Sequence, residues 1–244
     1  MSAHLLAVEN LTRRFGGLTA VNDVSFHVDR GEVVGLIGPN GAGKTTIFNL
    51  VSGALAPSAG VITFKGENIA GLKAHQICKR GITRTFQVVQ PFPDITALEN
   101  VMIGAYVRHG SRTAVEKAAQ QALERVGMGH KAGVLGKDLT LMELKRLEIG
   151  KALATEPELL LLDEMAAGLT PVEIDDMLTL VRQLNAEGMT LLVVEHVMKV
   201  IMNLCHRITV LNFGAKIAEG TPAEISRNQA VLDAYLGGEE EYVA

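Results

Sequence analysis

Apolar residues along this chain recur in two periods. Short β-rich runs at residues 5–11, 19–28, 32–37, 60–65, 159–162, 190–195 and 207–212 predict strands, and helical patterns lie between several of them. The last three runs are continuous rather than alternating, as expected of strands covered on both faces of a parallel sheet. One helix carries both of its boundary signals. Thr170 reads as its N-cap, Pro171 as its first position and Glu173 as the closing member of a capping box. Ile174, Met177, Leu178, Val181 and Leu184 then share one face, and Gly188 stops the run. Between about residues 89 and 155 the strand signal disappears, and helical patterns follow at 97–108, 111–127 and 141–154. The pattern therefore predicts one domain over 1–244, with an α/β core from 1–88 and 156–244 and an inserted helical subdomain from 89–155. The final GGEEEYVA reads as a frayed acidic tail.

Composition narrows the class. A chain of 244 residues can bury one substantial core, with or without a small appended subdomain, unaided by disulfides or metal. With 48% hydrophobic and 20% charged residues and 25 glycines, it falls outside the disordered and collagen-like classes. A net charge of −4 supplies no global field that would draw a polyanion, so nucleic acid is not expected as a partner. Cys78 and Cys205 have no zinc or redox spacing and are expected as buried small hydrophobes. The start, MSAHLLAVEN, lacks a positive n-region and its apolar run is broken by Glu9, so no signal peptide is predicted. No apolar stretch approaches the roughly 20 residues of a membrane helix. A membrane role would run through a partner.

The candidate chemistry begins at Gly38-Pro39-Asn40-Gly41-Ala42-Gly43-Lys44-Thr45, which fits GxxxxGK[ST] between a predicted strand and a helical run from Thr45 to Leu50. Glycines let the backbone curl so that successive N–H groups face a phosphate, and the helix N-terminus adds its positive dipole end. The plainer alternative is a glycine-rich turn with an exposed lysine. Asp163 and Glu164 follow a buried strand at its C-terminal end, where open α/β sheets bind ligands. Such a pair could equally cap a helix. His196 follows another buried strand, Gln87 ends a short one from Ile82 to Phe86, and Phe15 stands beside Gly16 and Gly17 as a packing residue at a turn would. His4, His27, His75, His109, His130 and His206 are expected to be structural, each satisfied by a backbone partner.

In this order the residues resemble the ABC ATPases across nearly the whole chain. The segments RTFQVVQPFPDITALENV, LEIGKALATEPELLLLDE and KIAEGTPAEI are most similar to ATPase subunits of branched-chain amino acid importers. The resemblance implies a RecA-like P-loop NTPase core with an N-terminal antiparallel β portion and an inserted helical subdomain, with ATP and Mg²⁺ as cofactors. By the same resemblance Phe15 stacks adenine, and Gly38, Pro39, Asn40, Gly41, Ala42, Gly43, Lys44, Thr45 and Thr46 hold the phosphates. Thr45, Gln87 and Asp163 would bind Mg²⁺; Glu164 would polarise the attacking water; Gln87, Lys44 and the switch residue His196 would complete the catalytic set. It further implies a second cassette, two membrane permease subunits, an extracytoplasmic substrate-binding protein acting indirectly, and a peripheral place on the cytoplasmic face of the inner membrane.

The departures carry information. Where the family has LSGGQ, this chain has Leu139-Thr140-Leu141-Met142-Glu143, with both glycines gone. Thr140 and Glu143 have the spacing of a capping box, so the segment can either face a partner's nucleotide, through Thr140, Met142 and Glu143, or simply begin a helix. Met165 replaces the usual proline after the acid pair, and Thr170 stands where aspartate is common. The altered signature points to a partner cassette that is a different chain. Two other readings stay open here: a soluble ABC ATPase working on ribosomes or DNA, and a regulatory nucleotide-binding cassette with weak hydrolysis. Against the first, the chain has neither a second cassette nor a basic extension; against the second, Lys44, Asp163, Glu164 and His196 are present.

Overall fold

The computed structural model describes residues 4–85 and 91–236. In chain order its first elements are β1 (Leu6–Phe15), β2 (Leu18–Val28), β3 (Val33–Ile37), α1 (Lys44–Val51), β4 (Ala59–Phe64), β5 (Glu67–Asn68) and α2 (Ala74–Arg80). They are followed by β6 (Ile82–Arg84), α3 (Ala97–Ala105), α4 (Arg112–Arg125), α5 (Leu141–Leu153), β7 (Leu159–Asp163) and α6 (Pro171–Ala186). The chain ends with β8 (Thr190–Val194), α7 (Met198–Leu204), β9 (Arg207–Asn212), β10 (Ala215–Gly220), α8 (Pro222–Ile225) and α9 (Gln229–Leu236).

These elements form two compact units, residues up to 77 with 190 onward, and residues 78–189. The first unit holds an antiparallel sheet in the order β2-β1-β4-β5. It also holds a mainly parallel group in which β3 is flanked by β8 and β9, with β10 antiparallel on β9. Every residue of β3 and β8 is buried, and Leu36 lies beside Val194 and Ile37 beside Val210. The continuous apolar runs therefore become strands with no solvent face, as their pattern requires. Helix α1 turns Ile47, Phe48, Leu50 and Val51 inward. In the second unit β6 and β7 pair in parallel, and α3, α4 and α5 follow the three helical patterns of the sequence.

Some boundaries move for identifiable reasons. The pattern ends the first strand at residue 11, but β1 runs on to Phe15, which pairs with Leu18 across Gly16-Gly17. Phe15 is 42% exposed, so it terminates a hairpin strand and does not pack the core. Helices α2, α7, α8 and α9 and strand β10 carried no sequence assignment; the helices are short, from 4 to 8 residues, and too brief to display a period. Cys205 is buried as expected, and burial, then Glu195, pushes its thiol up to about 12. Cys78 is half-buried instead, 3.6 Å from the Thr83 hydroxyl. The segment carrying Gln87 and the acidic tail lie outside the described residues.

Candidate functional site

Three parallel strands bring their C-terminal ends to one edge of the first unit. Gly38 follows β3, His196 follows β8 two residues beyond its end, and Leu211 lies near the end of β9. Gly38 has φ +152° and a Cβ there would run into the Leu211 carbonyl, so only glycine fits. Gly43 has φ +101°, and a Cβ would come within 2.6 Å of the Ala20 carbonyl of β2. Between them the chain curls back on itself: the Ala42 N–H donates to the Pro39 carbonyl, and Lys44 Nζ donates to the carbonyls of Gly38 (2.6 Å) and Pro39 (2.8 Å). The Gly214 N–H of the β9–β10 turn donates to Ala42 and steadies the loop from outside.

The beginning of α1 distinguishes it from most of its neighbours. Helices α3, α5, α6 and α8 each start with a Thr-x-x-Glu capping box, formed by Thr96 and Glu99, Thr140 and Glu143, Thr170 and Glu173, and Thr221 and Glu224. Helix α1 starts on Gly43, and no side chain caps it. Its first intrahelical bond runs from the Ile47 N–H to the Gly43 carbonyl, so the first-turn amides of Thr45 and Thr46 have no intrahelical acceptor. Donors left open beside a lysine and a helix dipole form a seat for an anion, and the residues fit a polyphosphate. Thr45 stands exposed at this end of the helix and Thr46 is half-buried one position on.

The second unit places the acid pair at the end of β7. Asp163 is buried, and its Oδ2 pairs with Arg84 Nη2 at 2.6 Å from the neighbouring strand β6. The Asp163 N–H donates to the Thr85 hydroxyl. A buried carboxylate delivered at the C-terminal end of a strand suits a divalent cation. Glu164 follows at φ +47°, a conformation costly for a side chain other than glycine, and buried Lys145 of α5 donates to its carbonyl at 3.1 Å. Neither Arg84 nor Lys145 was picked out in the sequence; each reaches its partner through strand register or helix packing, across 79 and 19 positions. Met165, in the place of a proline, is buried.

The altered signature takes the helix-start option. Thr140 accepts the Glu143 N–H on its hydroxyl and donates its own N–H to Glu143 Oε2, while Glu143 Oε1 pairs with Lys131 at 2.9 Å. The Thr140 N–H, then Lys131, holds the Glu143 carboxyl below its usual range. Met142 is half-buried in the first turn. The remaining histidines divide differently from expectation. His206 Nδ1 accepts the Val33 N–H, but His4 and His109 bind carboxylates, of Asp29 at 2.6 Å and of Glu156 at 2.8 Å. His27 lies tilted against the His4 ring.

A glycine loop between a buried strand and an uncapped helix, with a lysine folded into it, defines a P-loop nucleotide-binding fold. Comparison with known proteins narrows that class. The family described as "ABC transporter" matches residues 21–167, and one described as "Branched-chain amino acid ATP-binding cassette transporter" matches residues 215–241. A high-affinity branched-chain amino acid transport ATP-binding protein of Pseudomonas aeruginosa is 42% identical over 97% of this chain and 99% of its own length. The ADP conformation of an ATP-binding cassette of an ABC transporter superposes with a TM-score of 0.88 at 30% identity, covering 97% of this chain and 100% of that one. A dimeric cassette in a post-hydrolysis state, bound to ADP and Pi, has a TM-score of 0.78 at 25% identity, over 89% of this chain and 98% of its own. This chain belongs to the ABC transporter family, as an ATP-binding and ATP-hydrolysing subunit.

Proposed function

We propose that this subunit powers the import of branched-chain or chemically related amino acids. The observation that carries its nucleotide chemistry is the uncapped N-terminus of α1 beneath the Gly38–Gly43 loop. The amino-acid assignment is supported by the relative from Pseudomonas aeruginosa and by the match over residues 215–241. Gly38, Pro39, Asn40, Gly41, Ala42, Gly43, Thr45 and Thr46 surround the phosphates, and Lys44 turns from the carbonyls of its own loop to the β and γ oxygens. Thr45, Asp163 and Gln87 hold Mg²⁺, which when bound offsets charge on the transferring phosphoryl group. Glu164 orients and polarises the attacking water, while His196, at the same strand edge as the loop, donates toward the γ-phosphate. Phe15 stacks on the adenine. The chain acts with a second cassette on two permease subunits at the cytoplasmic face of the membrane, downstream of an extracytoplasmic binding protein. In Glu164→Gln, equilibrium ATP binding is retained and steady-state turnover falls by about 10²-fold or more, the usual loss for a general base. Near wild-type turnover would remove Glu164 from that role.

The capped signature favours a second cassette that differs from this one. Glu143 is committed to Thr140 and Lys131, and Met142 adds a side chain where a close approach of backbone to phosphate needs glycine. A nucleotide facing this surface meets a Glu143 N–H and carboxylate that are already engaged, so an intact signature is expected from the partner.

A further inference from the structure

Positions two apart on a strand share a face, so Arg13 and Phe15, at the end of β1, stand side by side. The guanidinium carbon of Arg13 lies 4.5 Å from the centroid of the Phe15 ring. It is not a loosely placed cation. Arg13 Nη1 donates to the Ala56 carbonyl at 2.9 Å, and Nε is buried with no hydrogen-bond partner. A buried charged N–H without an oxygen is unfavourable, and the π face of Phe15 is the electron-rich surface beside it. The ring is meanwhile 42% exposed and Leu18 opposite it 67%, with open space around Gly16 and Gly17, so the hairpin does not cover Phe15 itself. Two residues beyond Leu18, about 7 Å of strand, the Ala20 carbonyl abuts Gly43 of the phosphate loop. The aromatic is thus backed on one side by a fixed cation and is carried by a hairpin that leans on the loop.

We propose that Arg13 is a positioning residue for the nucleobase: it holds the Phe15 ring from behind and presents the remaining face to the base of the bound nucleotide. This rests on the reading of Phe15 as the base-stacking residue. An exposed phenylalanine at a hairpin end would otherwise give up its rotamer freedom when a base docks; Arg13 imposes that ordering beforehand. The cation also draws π density toward itself, leaving the outer face better suited to an electron-rich purine. Selectivity among bases does not follow, because stacking is tolerant of base identity.

The test measures binding of ATP, GTP and inorganic tripolyphosphate to the full chain by calorimetry. Tripolyphosphate has the charges and lacks the base. Phe15→Ala is expected to weaken ATP and GTP alike by about 10-fold or more and to leave tripolyphosphate unchanged. Arg13→Gln is expected to weaken both nucleotides by about 3- to 10-fold, again sparing tripolyphosphate, and to have no further effect in the Phe15→Ala background. Arg13→Lys, which keeps a cation over the ring, should recover part of the loss. Equal weakening of tripolyphosphate by Arg13→Gln, an undiminished effect in the Phe15→Ala background, or unchanged ATP affinity would each overturn the role of Arg13 while leaving Phe15 in place. Unchanged ATP affinity in Phe15→Ala would overturn the stacking role, and the proposal with it.

Discussion

At the scale of single residues, the second unit is most exposed to error at Asp163. Its carboxylate is 4% accessible and lies against the Arg84 guanidinium, whose side chain is 12% accessible, so the Asp163 charge depends on Arg84 for compensation. Removing one partner of such a pair strands the other, which commonly costs about 3–5 kcal/mol, whereas replacing both with apolar groups can be nearly neutral. Arg84→Met is therefore expected to lower the unfolding free energy by about that amount, read as a shift in the urea midpoint at unchanged slope. A shift under about 1 kcal/mol would mean that solvent already screens the pair. Asp163 itself was legible from its place after an apolar run. Arg84 was not, because the parallel register of β6 and β7 creates its proximity, and no local spacing encodes it.

At the scale of elements, α5 separates this cassette from a symmetric one. Its first turn is closed by the same Thr-x-x-Glu device that starts α3, α6 and α8, with Lys131 added. The signature has thus become an ordinary helix start. On the proposed function an unequal pair is expected, in which this chain's P-loop, completed by a partner's glycine-rich signature, hydrolyses ATP and the partner's P-loop, facing Thr140 to Glu143, is slower. With both cassettes co-expressed, disabling Glu164 here should abolish most of the activity, and disabling the corresponding glutamate of the partner should remove little. Equal losses, or a fully active homodimer of this chain, would refute the asymmetry. The capping boxes of α5 and α6 were readable in advance because both members lie within one turn. The same locality explains why α6 was placed from its first residue to its stop at Gly188.

For the whole molecule, no described helix is long and apolar enough to cross a membrane, and a net charge of −4 gives no general attraction to an anionic lipid surface. On the proposed function, membrane attachment is expected to run through contacts with the permease subunits. Co-expressed with its permeases, the chain is expected to sediment with membranes and to stay there through a high-salt wash; without them it should remain in the supernatant. Flotation with protein-free vesicles would contradict this.

Local chemistry carried a large share of the outcome. The apolar period made β3, β7 and β8 buried strands, the glycine spacing made a phosphate loop, and Thr-x-x-Glu made helix starts, because each signal acts within a few residues of itself. Contacts between distant segments required the folded chain. Phe15 became an exposed hairpin end backed by Arg13, Asp163 acquired Arg84, and Gly43 had to be glycine because the Ala20 carbonyl sits against it. In each case the deciding neighbour arrives from another strand, and strand pairing is set by which faces the whole core can bury, a quantity no short window of sequence contains.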